Sequence, residues 1–230
     1  IPWTRVVSAE EKDKPFVLIS GSGYEEAGIG VKKGIDISEV RRICVPQRGG
    51  MKDLTALALI KSLGWENVEI IRQPSGDGAI ISLFGHGADA ASMVEPYAAM
   101  MECLNVGNVV KRTGDIWPGA PGCSLTTIKE FSKNEPETVY KVVRAFIRGA
   151  FFIRDDIEES AEIASRYIGI NAEFIKKALK VNKPDIFAIQ NQKVMDDVLS
   201  LMVRLGYIKK MPKDYIDLTF LNMALESLHV

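Results

Sequence analysis

The stretch Val45-Pro46-Gln47-Arg48-Gly49-Gly50-Met51-Lys52-Asp53 sets basic residues on both sides of a glycine pair, between an apolar run and a helical pattern. A glycine-rich turn from strand to helix can present backbone N–H groups to an anion. The spacing excludes the common nucleotide loops. GxxxxGK[ST] separates its glycines and places Ser or Thr directly after Lys, whereas Gly49 and Gly50 are consecutive and Thr55 is not adjacent to Lys52. GxGxxG fails for the same reason, and Gly21-Ser22-Gly23 and Ser75-Gly76-Asp77-Gly78 carry only pieces of it. Nucleophilic chemistry finds no GxSxG elbow. Of the two histidines, His229 is next to last, and His86 has no identifiable Ser or Cys partner and reads as a polar loop residue. Lys52 is of the Schiff-base type, but nothing near it specifies a desolvated site. No catalytic or metal-ligating set is assigned.

The elements around these residues follow from punctuation and period. Residues 16–20 (FVLIS) read as a buried strand closed by glycines, 42–45 as a second strand, and 68–73 and 87–94 as two more. Leu54, Leu57, Ala58, Ile60 and Leu63 recur at helical spacing from about Asp53, with Gly64 as the stop. Helices are expected from 75–78 through Phe84 and over 95–104, with Pro96 in the first turn. Alternation of strand and helix predicts an α/β fold with a mainly parallel sheet. Residues 117–122 (WPGAPG) read as a rigid linker, 124–128 as a strand, and nearly everything from about Glu135 onward as helix.

In an open α/β sheet, ligands gather at the loops beyond the strand C-termini. Residues 47–53, 73–78 and 94–97 are such loops, each leading into a helix N-terminus with free N–H donors. Asp53, and Ser75 or Asp77, serve equally well as helix N-caps. For Arg48, Gln73 and Tyr97, a ligand role and a solvated surface role both remain open.

Composition narrows the partners. A 230-residue chain with net charge −1, 47% apolar and 26% charged residues presents no basic field for nucleic acid. No apolar run reaches the ~20 residues that span a bilayer. Cys44, Cys103 and Cys123 lie far apart and read as buried thiols, with one disulfide left open. The chain opens Ile1-Pro2-Trp3, as a mature product or a processed fragment would.

Residues 53–65 and 67–101, with Gly87-Ala88-Asp89-Ala90 leading to Glu95-Pro96-Tyr97, resemble the periplasmic substrate-binding proteins of ABC importers. The likeness is to the branch handling nitrate, sulfonates, taurine and thiamine-pyrimidine precursors, and it extends over about residues 15–225. It implies a two-lobed type II binding-protein fold with C-terminal helices and hinge closure. Residues 1–20 and 115–230 would form the first lobe and 21–114 the second, with 16–20 and 123–128 as crossings. It further implies a small polar or anionic solute, partner permease subunits, a periplasmic or extracytoplasmic location and no cofactor. The implied ligand residues are Arg48, Gly49, Gly50, Ser75, Gly76, Asp77, Glu95, Tyr97 and Trp117. Trp117 or Tyr24 would stack on a ring, or Trp117 would pack a hinge corner beside Pro118. The acids Asp77 and Glu95 argue against a strongly anionic ligand unless they face away. Little sequence precedes Pro15 compared with this family, so the first lobe is expected to be incomplete, with a partner or homodimer covering its apolar edge. An enzyme on the same fold, of thiamine-pyrimidine or menaquinone-pathway type, and a non-transport sensory domain are the alternatives.

Overall fold

The computed structural model describes residues 1–10, 16–73, 76–182 and 184–229. The chain divides into two compact units, one of Ile1–Tyr24, Gly119–Ser160 and Lys183–Val230, the other of Glu25–Pro118 and Ala161–Asn182.

In the unit that starts at Glu25, the strands are β2 (Ala27–Lys32), β3 (Arg42–Val45), β4 (Glu69–Arg72), β5 (Ala90–Val94) and β6 (Gly107–Arg112). They form one sheet in the order β4-β3-β5-β2-β6. β3 runs parallel to β4 and β5, as the strand–helix alternation predicts, while β2 is antiparallel to both β5 and β6. Four of the five strands therefore run in one direction, and β2 alone is reversed, so that both of its pairings are antiparallel. Period-2 alternation gives each face its own core. Ile43, Val45 and Ala90 pack with Ala56 and Leu59 of helix α2 (Met51–Ser62). Cys44, Ala91 and Met93 pack with residues of α3 (Asp77–Phe84) and α4 (Tyr97–Cys103).

The two antiparallel strands escaped the sequence reading for identifiable reasons. β2 reads AGIGVK, and its glycines interrupt the apolar pattern. Gly30 has a packing function, because a Cβ there would overlap the Met101 thioether of α4. Gly107 opens β6 under a tighter constraint: its Cβ would overlap the Val31 carbonyl oxygen across the ladder. Gly107→Ala is expected to cost about 1–3 kcal/mol through this backbone displacement. Urea unfolding would check it, and an unchanged midpoint would show that the β2–β6 ladder yields freely.

Helix α8 (Ala172–Val181) joins this unit from far along the chain, packing on α4. Glu102 accepts hydrogen bonds from Val109 N–H at 3.0 Å and from the Lys177 ammonium at 2.9 Å. Burial pushes the Glu102 carboxyl up, but these hydrogen bonds and the charges of Lys177 and Arg112 outweigh it and hold it below the usual range. The hydrogen bond to Glu102 in turn holds Lys177 above the ordinary lysine value. A depressed carboxyl contributes stability above its unfolded pKa and loses it as pH falls through the folded value; the raised lysine loses its share only in alkali. The α4–α8 contact is thus expected to weaken as pH drops below about 4. Glu102→Gln should cost less than about 1 kcal/mol at pH 7, since the Lys177 side chain is 42% exposed. It should also flatten the acid limb of stability against pH; an acid limb identical to the parent's would refute the assignment.

In the other unit, β1 (Phe16–Gly21) pairs antiparallel with β7 (Ser124–Ile128). Val17 and Ile19 face a core with Val143 and Ile147 of α6 (Pro136–Asp155) and Leu221 and Ala224 of α10 (Thr219–Leu228). α1 (Trp3–Glu10) buries Trp3 completely, with its indole N–H donating to Pro121 O at 2.8 Å. The expected linker 117–122 is accordingly packed at Ala120, Pro121 and Gly122 rather than solvated. α5 (Lys129–Asn134) and α9 (Gln192–Arg204) also belong to this unit, whereas α7 (Ile157–Ile168) crosses the boundary at Ser160 and lies mostly in the unit that starts at Glu25. All three cysteines are free; Cys44 is buried, and that burial pushes its thiol up, whereas Cys103 is exposed, contrary to a uniformly buried set.

Candidate functional site

β3, β4 and β5 are parallel, so their C-terminal ends share one edge of the sheet. The antiparallel β2 and β6 bring Glu25-Glu26 and Arg112–Asp115 to the same edge. Five segments of the second unit therefore converge where the sequence supplied three loops.

The first loop is held from beneath. α2 begins at Met51 with Gly50 as its N-cap and no side-chain cap, so Asp53 is not the N-cap. Asp53 is instead fully buried, accepting from Gly49 N–H at 3.0 Å and pairing with Arg72 of β4. Arg72 also donates to Pro46 O at 2.7 Å, so a single guanidinium ties both ends of the turn. Gly49 takes φ +90°, a left-handed conformation that favours glycine. Gly49 and Gly50 are buried, whereas Gln47 and Arg48 are exposed at the tip. The helix itself is set slightly differently from its sequence period. Met51, Asp53, Leu54, Thr55, Ala56 and Leu59 are its buried residues, while Leu57, Ala58 and Ile60 are half-buried.

The loop after β5 is built on a second internal ion pair. The Glu95 side chain is 3% exposed, lies 2.7 Å from the Arg112 guanidinium and accepts from Ala99 N–H at 2.9 Å. The Glu95–Pro96 peptide is cis, and α4 starts at Tyr97 rather than at 95. The Tyr97 ring lies against Gly76, where φ is +92° and a Cβ would come within 3.0 Å of the ring. Gln73 is fixed by Ser82 Oγ donating to its side-chain oxygen at 2.5 Å. Ser75 and the side chain of Asp77 lie outside the described residues.

On the β2–β6 side, Thr113 Oγ1 donates to Ala27 O at 2.8 Å and lies 3.2 Å from Thr55 Oγ1, stitching β6, β2 and α2 together. The Glu25 carboxylate occupies the place a Cβ on Gly114 would take. Trp117 is half-buried and tied to this end by its N–H donating to Thr113 O at 2.7 Å. His86 sits apart, at the turn before β5, with Nδ1 at 2.8 Å from Lys32 Nζ.

The structure thus gathers Arg48, Gly49, Gly50, Gly76, Glu95 and Tyr97 at one edge, with Trp117 just beyond β6. The sequence reading lacked Arg72, Arg112, Glu25, Thr55 and Thr113. The two arginines carry a usable signal, since each is the last residue of its strand and faces a buried acid. The acids change meaning as well. Asp53 and Glu95 are each paired with an arginine inside the protein and so present no bare carboxylate at the edge.

Solved structures place this architecture. The ligand-binding component of an ABC-type import system from Staphylococcus aureus, solved with zinc bound, superposes with a TM-score of 0.81 at 16% identity, covering 96% of this chain and 78% of that one. The periplasmic nitrate-binding protein NrtA from Synechocystis gives 0.79 at 12% identity, over 100% and 74%. The periplasmic aliphatic sulphonate-binding protein SsuA from Escherichia coli gives 0.74 at 13% identity, over 94% and 76%. At these identities the fold is what is shared, and it is the periplasmic-binding-protein fold. The chain belongs to the NMT1-like family, whose model matches residues 34–168. That stretch contains β3 through α7, and with them every loop of the edge except Glu25-Glu26. No curated protein matches the sequence.

Proposed function

We propose that this protein is the extracytoplasmic solute-binding component of an ABC-type importer, taking a small polar or anionic organic solute and delivering it to permease subunits without catalysis. The observation that carries this reading is the paired neutralisation at the sheet edge. With Asp53 bonded to Arg72 and Glu95 to Arg112, the acids no longer oppose an anionic group, and the glycines of the turns carry no side chain to block approach to the backbone. The fold shared with nitrate- and sulphonate-binding proteins supports the same reading.

In this reading the two units act as the two lobes, with Ala161–Asn182 belonging to the lobe of Glu25–Pro118 rather than, as the sequence suggested, with the rest of 115–230. Gly49, Gly50 and Gly76 admit the ligand to the backbone. Arg48 supplies charge, while Tyr97 and Trp117 supply aromatic surface. Ser75 and Asp77 are further ligand candidates, and Glu95 holds α4 in place rather than touching solute. The protein works in the periplasm.

Native mass spectrometry of the purified chain, followed by thermal shift against nitrate, sulfonates, pyrimidines and aromatic acids, tests the proposal. A true ligand at about a hundredfold over its Kd stabilises the protein by roughly 2.7 kcal/mol. Finding neither a bound species nor any shift across the panel would sink it.

A further inference from the structure

The five-stranded sheet has a second edge, away from the candidate site, where β2 ends and β3 and β5 begin. Cations gather there. Lys32 closes β2 on the same face as Gly30, which lies against Met101 of α4, and Arg42 opens β3 on the face of Cys44. Lys32 Nζ is 2.8 Å from His86 Nδ1, Lys33 Nζ donates to Asn105 Oδ1 at 2.8 Å, and Arg42 donates to His86 O at 3.0 Å. An imidazole, an amide and a backbone carbonyl bring no negative charge to the three cations. The acid facing them is Asp89, 3.9 Å from Arg42, whose carboxylate also accepts from Arg41 and Arg42 N–H at 3.0 and 2.9 Å. Asp36 and Glu39 cap a separate turn, flanked by Ile35 and Val40, which pack on the α2 face.

Apolar side chains accompany the charge. α3 ends at Phe84, two residues before His86, and α4 ends at Cys103, two residues before Asn105. Ile80 and Leu83 of α3 turn into the core, whereas Ile81 and Phe84, one turn apart, are 68% and 73% exposed. Leu104, beside Asn105, is 48% exposed. Residues 78–85 (GAIISLFG) contain no charge. Large apolar side chains exposed together mark a contact surface. Set beside cations, they fit an anionic phospholipid leaflet, where lipid phosphates meet the ammonium groups and the acyl boundary takes the apolar side chains. Two lysines suit this arrangement, because their long stems let the charge stay at headgroup level while the helix face sits deeper.

We propose that this end of the unit docks on an anionic phospholipid bilayer, with Ile81, Phe84 and Leu104 reaching the acyl boundary and Lys32, Lys33 and Arg42 against lipid phosphates. The cations supply the preference for anionic lipid and the sensitivity to salt, and the apolar side chains supply the hold that salt does not screen. Within this unit the surface lies at the sheet edge away from residues 47–53 and 94–97, so docking leaves that loop cluster uncovered. The proposal goes beyond the solute-binding reading and does not depend on it.

Flotation of the full chain with large unilamellar vesicles tests the proposal, comparing pure phosphatidylcholine with phosphatidylcholine carrying about 30% phosphatidylglycerol. The anionic vesicles are expected to bind the protein at least about tenfold more tightly, and Lys32→Gln with Lys33→Gln to weaken that binding roughly thirtyfold. Phe84→Ser, which leaves the charge unchanged, should weaken it about tenfold, and Ile81→Ser repeats the measurement at a second position. Urea midpoints matching the parent's show that each variant is folded. Inorganic phosphate at constant ionic strength should leave vesicle binding unchanged; displacement by it would mark a phosphate pocket and overturn the bilayer as occupant. Binding indifferent to phosphatidylglycerol would also overturn the proposal. So would binding that falls with the lysines but not with Phe84 or Ile81, as for an acidic protein partner, or self-association abolished by Phe84→Ser, because a second copy would then cover the face.

Discussion

Arg72→Ala is expected to destabilise the protein by about 3–5 kcal/mol, one of the two largest single effects expected of this fold. The reason is what the truncation leaves behind. The Asp53 carboxylate is completely buried beneath the first loop, and Arg72 is the cation paired with it. A buried charge stripped of its partner keeps its desolvation penalty and loses the attraction that offset it. The same truncation removes the donor to Pro46 O, so both anchors of the glycine turn loosen together. Solute affinity should therefore fall along with stability. Asp53→Asn combined with Arg72→Ala should recover a good part of the loss, because the orphaned charge is gone. Urea unfolding of the two singles and the double gives the coupling directly, and a coupling below about 0.5 kcal/mol would contradict the account.

Arg112→Ala should cost about 3 kcal/mol, toward the low end of the same range, because its side chain is 21% exposed and water reaches one side of the pair. Glu95 would then keep only the Ala99 N–H. The consequence is directional, since Glu95 joins the end of β6 to the start of α4 and so sets where Tyr97 lies on Gly76. Arg112→Lys retains the charge without the planar fork and should fall between parent and alanine. Ligand titration separates positioning from charge: both variants should weaken solute binding, the alanine more. If alanine left affinity and stability unchanged, Glu95 would not be acting through Arg112.

These arginines illustrate how far the residues alone could be read. β3, β4 and β5 carry short apolar runs closed by Pro46, Gln73 and Glu95-Pro96, and each is followed by a helical period, so their order and shared edge were legible. The loops at 47–53, 73–78 and 94–97 followed from that order. β2 was not legible, since Gly28 and Gly30 stand where an apolar alternation would show, and the need for glycine comes from packing such as that of Met101 on Gly30. β6 was not assigned as a strand either; it pairs antiparallel with β2 and so runs in the direction of β3, β4 and β5, which is what brings its last residue, Arg112, to the edge. Asp53 failed differently. It precedes the apolar period as an N-cap would, but the helix begins earlier and places Asp53 on its buried side. Only the tertiary partner, Arg72, makes that position tolerable.

The docking of α8 against α4 has a consequence for how the protein is made. The chain passes from one unit to the other four times, at 24–25, 118–119, 160–161 and 182–183. A nascent chain that has released the whole five-stranded sheet still lacks the helix that carries Lys177. Glu102 waits through the synthesis of α5, α6 and α7 for its counter-charge. Domains that fold as units during synthesis do so when their last element emerges. Here that element arrives only after most of the other unit's central helices, so the two units mature in overlap rather than in sequence.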